Sequence, residues 1–140
     1  MMKHIRKFLT MLRRLSRNPE IKKMSKMREP TKNEDSLIRL LIEKANRDYG
    51  MEIHLDNYLV QPMEDGGMGS LTIIPCQFKS VIKRDDGPMV AEIHSFDKDQ
   101  VEVIISLFLD TQNTPYELDI WKVDFTPLIS LSDILKKICE

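Results

Sequence analysis

Val101, Val103, Ile105, Leu107 and Leu109 form an unbroken apolar row at a spacing of two residues, and this row limits the fold more than any other feature of the chain. Only a β-strand places alternate residues on one side, so the row requires a sheet with a buried face. Ile104 and Phe108 lie on the opposite side, which predicts a central strand partly covered on both faces. A loop of turn formers at 110–115 leads into Tyr116–Phe125, and the two stretches together predict a long antiparallel hairpin. In the second stretch the parity slips: Tyr116, Leu118 and Ile120 are apolar at even positions, Trp121, Val123 and Phe125 at odd ones. A slip of one residue reverses every side chain unless a bulge absorbs it. A bulge at Ile120-Trp121 is therefore expected, with the apolar residues on one face and Glu117, Asp119, Lys122 and Asp124 on an outer, mostly acidic one.

The rest of the chain supplies helices and shorter strands. Thr31-Lys32-Asn33-Glu34 has the form of a capping box, and Leu37, Ile38, Leu40, Leu41, Ile42 and Ala45 follow at helical spacing. A helix over 32–47, stopping before Gly50, is expected. Residues 51–60 alternate with a shift at Asp56-Asn57 and read as a strand with a bulge or turn. The glycine-dense turn Asp65-Gly66-Gly67-Met68-Gly69-Ser70 and the apolar run 71–74 complete a hairpin. Residues 78–82 are a further strand candidate, closed by a turn at Asp85-Asp86-Gly87-Pro88. Residues 89–96 fit either an extended segment or a short irregular helix. Leu131, Ile134, Leu135 and Ile138 mark a final helix capped by Ser130 or Ser132. The expected fold is α+β: an antiparallel sheet of about four to six strands flanked by helices, with a basic amphipathic helix in front.

That basic segment dominates the charge layout. Residues 1–28 hold ten Lys/Arg against Glu20 alone, leaving eleven basic and twenty-one acidic residues in 29–140. The net charge of −1 thus divides into an arm at +9 and a body at −10. Ile5, Phe8, Leu9, Leu12 and Leu15 lie at helical spacing among Arg6, Lys7, Arg13 and Arg14. The stripe either packs on the protein's own body, meets an anionic membrane surface through residues 1–15 or enters a groove on a partner. Nucleic acid is disfavoured, because the acidic body repels it and Phe8 is the arm's one aromatic residue. Asn18-Pro19 ends this segment, the division falls at 1–28 and 29–140, and Met27 is an alternative start. No run reaches the roughly 18 apolar residues of a membrane span, and no signal-peptide core is present. Cys76 and Cys139 show no metal or redox spacing, so free thiols and a cytoplasmic location are expected.

No catalytic set assembles on paper. The serine of Gly67-Met68-Gly69-Ser70 follows the second glycine, so there is no nucleophile elbow. His4, His54 and His94 are isolated, no metal-ligand spacing occurs, and no cofactor is implied. Asp65, Gly66, Gly67, Gly69 and Ser70 are the weak ligand-loop candidates, since glycines let amide donors converge on an anion. The loop lacks the Gly-Lys-Ser/Thr ending of a P-loop.

The segments Asp65-Gly66-Gly67-Met68-Gly69-Ser70-Leu71 and Glu117-Leu118-Asp119-Ile120-Trp121-Lys122-Val123-Asp124-Phe125-Thr126-Pro127-Leu128 together carry a resemblance. The chain resembles a family of small bacterial proteins classed only as a domain of unknown function. The resemblance covers about residues 27–129, starting at Met27-Arg28-Glu29-Pro30-Thr31, and it implies a domain boundary rather than an activity. The function expected is a non-enzymatic protein-binding module of the immunity or antitoxin kind, whose acidic body neutralises a basic protein partner. Glu117, Asp119, Trp121 and Asp124 are the contact candidates. The rivals are a small ligand-binding protein or enzyme using the glycine turn with His54 or His94, and a membrane-surface protein using the arm. The oligomeric state stays open.

Overall fold

The computed structural model describes residues 26–76 and 84–140; the expected basic helix and the strand candidate at 78–82 lie outside them. The described residues form two helices and five strands: α1 (Lys32–Tyr49), β1 (Tyr58–Pro62), β2 (Leu71–Pro75), β3 (Asp86–Phe96), β4 (Glu102–Asp110), β5 (Pro115–Lys122) and α2 (Leu131–Ile138). The strands form one antiparallel sheet in the order β1-β2-β5-β4-β3, so the α+β class holds. The period-two apolar row becomes the helix-facing side of β4, where Val103, Ile105, Leu107 and Leu109 are all fully buried.

α1 starts where its capping box requires. The Thr31 hydroxyl accepts the Glu34 amide (3.2 Å), and the Glu34 carboxylate accepts the Thr31 amide (2.8 Å). The same carboxylate takes a bidentate pair from Arg28, at 2.7 and 2.9 Å. Arg28 in turn exchanges backbone hydrogen bonds with Val60 on the outer side of β1. Met27 is buried, so the residues at the end of the expected arm are built into the fold. Leu37, Ile38, Leu41, Ile42 and Ala45 of α1, with Ile134 of α2, cover the helix-facing side of the sheet. Gly50 ends α1 in the left-handed conformation.

Three expectations need correction. Residues 51–57 are not a strand: the Asn46 side chain pairs with the Ile53 backbone in both directions and Arg39 donates to the Leu55 and Asp56 carbonyls. Ile53 and Leu55 are nevertheless core residues; helix side chains have taken the place of a ladder. The expected turn at 85–88 is the irregular start of β3, with register shifts between Asp86 and Met89 and between Met89 and Ala91. A Cβ on Gly87 would lie 2.4 Å from the Asp110 carbonyl oxygen, so that glycine serves close strand approach. Finally, β5 carries no bulge at Ile120-Trp121. Its register with β4 runs unbroken from Val103↔Lys122 to Phe108↔Glu117, and the shift falls between Phe108 and Leu109.

Candidate functional site

Without that bulge the two sides of β5 are composed differently from the expectation. Leu118, Ile120 and Lys122 face the helices; Glu117, Asp119 and Trp121 share the other face. Partners across the sheet extend that face into three rows: Thr72, Glu117, Phe108 and Met89; Asp119, Ser106 and Glu92; Trp121, Ile104 and His94. Trp121 is 39% exposed, and Met89, Glu92 and His94 are exposed beside half-buried Ile104, Phe108, Glu117 and Asp119. Apolar side chains and carboxylates are therefore interleaved on one sheet surface, with Trp121 at one end.

The electrostatics of this face are unsettled in a way that favours cations. Burial pushes the Glu117 carboxyl above its ordinary range, and the charges of Asp119 and Asp86 add to the effect. Burial also raises Asp119, partly offset by the Ser70 hydroxyl and reinforced by Asp65. His94 lies between Glu92 (3.0 Å) and Glu102 (2.8 Å), whose hydrogen bonds raise its pKa. A cationic group placed here would relieve repulsion already present.

Asp124 does not belong to the face. It sits in the turn after β5, where its carboxylate accepts from the Thr126 amide (3.0 Å) and hydroxyl (2.6 Å). The same turn holds Phe125 at φ 63°, a region that bulky side chains rarely enter. Phe125 is 70% exposed, and its ring lies 6.0 Å from that of Trp121. Sequence reasoning overlooked this aromatic pair because it assigned Phe125 to a strand.

The glycine turn is self-satisfied. Asp65 accepts the Met68 (3.1 Å) and Ser70 (2.9 Å) amides, the donors an anion would need. Gly66, Gly67 and Gly69 all have positive φ, and the Gly67 carbonyl accepts the Leu128 amide at 3.0 Å. The Ser70 hydroxyl accepts the Ile120 amide (2.9 Å) and donates to the Ile120 carbonyl (3.3 Å). The turn thus joins β2, β5 and the segment before α2. His54 is exposed at 51–57, and Cys76 and Cys139 are free thiols. Among the described residues no three His, Cys, Asp or Glu side chains could hold a metal ion.

The largest feature absent from the sequence reading is a buried ion cluster. Lys122 is fully buried and donates to Asp97 (2.9 Å), Asp99 (2.7 Å) and the Pro127 carbonyl (3.3 Å). Burial works against the ammonium, but Asp99 and Asp97 outweigh it and raise its pKa. Asp97 also accepts the Lys98, Ile129 and Ser130 amides. Burial would push its carboxyl up; these amides and Lys122 instead hold it at about 2. The signal was the even parity of Lys122 with Leu118 and Ile120.

This cluster has a pH signature. A carboxyl held below its ordinary value of 3.8 contributes stability that is complete above about pH 4 and is lost as the pH falls toward about 2. The shift corresponds to about 2 kcal/mol. Glu117 and Asp119 act with the opposite sign: their protonation stabilises the fold as the pH drops through their raised values. The urea midpoint should accordingly stay level or rise slightly on mild acidification and fall steeply below about pH 4. Asp97→Asn should lower the midpoint at neutral pH and flatten the acid limb.

A family model described as a domain of unknown function (DUF6984) matches residues 27–132. The chain belongs to that family. The match begins at buried Met27 and ends in the first turn of α2. The DUF6984 domain therefore contains the five described strands, α1 and the ion cluster. No curated protein and no solved structure matches the chain. Among the described residues no helix is long and apolar enough to cross a membrane.

Proposed function

We propose that this DUF6984 domain is a non-enzymatic protein-binding module, and that the sheet face bearing Glu117, Asp119 and Trp121 receives a basic partner. The observation that carries this reading is the placement of an exposed tryptophan among half-buried carboxylates on one surface. Aromatic anchors contribute most at protein interfaces, and acidic surroundings speed encounter with a basic surface and select for it. The body's charge of −10 over residues 29–140 acts in the same direction. An immunity or antitoxin relationship to a basic enzyme is the form of partnership that such complementarity would serve. The glycine turn is the weaker candidate, because Asp65 already occupies the amides a ligand would use.

The test uses the tagged full chain and its Glu117→Lys/Asp119→Lys variant as baits in lysate of the source cells. The expected outcome is a basic protein enriched by the wild type and reduced more than about tenfold by the variant. Recovery of the same proteins by both baits would overturn the assignment.

A further inference from the structure

The two outer edges of the sheet differ. Along β1, Arg28 exchanges backbone hydrogen bonds with Val60 and covers part of that edge. Beyond β3 no strand lies among the described residues, and an uncovered edge is a template for another strand. Hydrogen-bond parity identifies the free groups. The Asp97 amide donates to the Val101 carbonyl and the Val123 amide to the Glu102 carbonyl, both at 3.0 Å. Odd residues of β4 therefore bond to β3 and even ones to β5. Ala91, Ile93 and Ser95 commit their backbone groups to β4, whereas Glu92, His94 and Phe96 direct theirs away from the sheet. Register shifts blunt the start of β3 as far as Ala91, but the run 91–96 is regular. On the helix-facing side this edge borders a groove of about 510 Å³, lined by Leu40, Ile93 and Ile138 and by Glu43, Lys44 and Arg47. Apolar surface flanked by charges of both signs suits a two-fold interface, which must complement itself.

We infer that β3 pairs antiparallel with β3 of a second copy about a two-fold axis at Ile93, joining the two sheets into one. The free backbone groups require even residues to face even residues, and two such registers pair most of the run 91–96. Centring on His94 sets two imidazoles opposite each other. Centring on Ile93 instead sets each Glu92 opposite His94 of the other copy. Opposite charges directly across a ladder stabilise it and like charges destabilise it, so the Ile93 register is selected. Glu92 and Glu102 already favour the charged form of the His94 ring. Ile93 then meets its own copy where the two grooves adjoin. This pairing goes beyond the binding reading and needs no other protein.

The measurement is sedimentation equilibrium of the full chain at about pH 6, where a histidine of raised pKa is charged. Reducing buffer keeps Cys76 and Cys139 as thiols. The wild type should pass from monomer toward dimer between about 5 and 500 µM. Glu92→Lys sets an ammonium opposite His94, and His94→Glu sets a carboxylate opposite Glu92. Each variant alone should dimerise at least about tenfold more weakly. In an equimolar mixture both juxtapositions become opposite in charge, so a heterodimer should recover the lost association. Both positions are exposed, and circular dichroism checks that both variants stay folded. A wild type that stays monomeric over this range would overturn the inference. So would a dimer indifferent to both substitutions, or a mixture that associates no better than its components. None of these results bears on partner capture by the Glu117 and Asp119 face, so the two readings fail separately.

Discussion

Replacing Asp97 by alanine should lower the stability of the domain by about 3–5 kcal/mol, the range seen when one member of a buried ion pair is removed, and the melting temperature by roughly 10 °C. Asp97 is fully buried and accepts four hydrogen bonds, from Lys122 and the Lys98, Ile129 and Ser130 amides. Alanine would leave the Lys122 ammonium buried with Asp99 as its remaining carboxylate, and three amides without their acceptor. The loss would spread, because Asp97 joins the β3–β4 turn to the segment that starts α2. Lys122→Met should cost less than Asp97→Ala: methionine follows the path of the lysine stem, and Asp97 keeps its amides. Urea denaturation of the two single variants and the double variant provides the check. Coupled side chains should make the double variant less destabilised than the sum of the singles. Additive losses would mean that the cluster is not an interacting unit.

Trp121→Ala should have the opposite profile. The side chain is well exposed and lies outside the core cluster, so thermal stability should change by less than about 1 kcal/mol. Partner affinity should fall by about 2–4 kcal/mol, on the order of 30- to 1,000-fold, as for an aromatic anchor of an interface. Phe125 supports the same reading from the backbone. Its left-handed conformation costs roughly 1–2 kcal/mol, yet the structure spends it on an exposed ring beside Trp121. Strain retained at an exposed aromatic position is a reason to look for function there. Calorimetric titration with the captured partner separates the alternatives: unchanged affinity with unchanged folding would remove Trp121 from the contact surface.

How much of this could be read from the sequence depended on whether local rules governed each element. The capping box at Thr31, the period-two row of β4 and the left-handed Gly50 are local, and all reappear in the structure. The side choice in β5 is not local. Lys122 reads as an outward residue on hydropathy alone, and only Asp97 and Asp99, more than twenty residues away, make its burial tolerable. Once Lys122 turns inward, Trp121 must turn outward, and the apparent parity slip needs no bulge. Residues 51–57 misled for a related reason, because their backbone is satisfied by Asn46 and Arg39 of a helix rather than by a neighbouring strand. The candidate face was legible in part: Glu117 and Asp119 were correctly placed on one side, whereas Trp121 was assigned to the other and Asp124 was grouped with them.

The binding face is tested most directly by site-specific photo-crosslinking in the source cells. Phe125 and Tyr49 are equally exposed, at 70% and 71%, but Phe125 stands beside Trp121 whereas Tyr49 ends α1. A benzophenone amino acid replaces each in turn. A discrete adduct to one basic protein from position 125, lost in the Glu117→Lys/Asp119→Lys background and absent from position 49, is the result expected of a docking face. Matching adducts from both positions, or none from position 125, would contradict it.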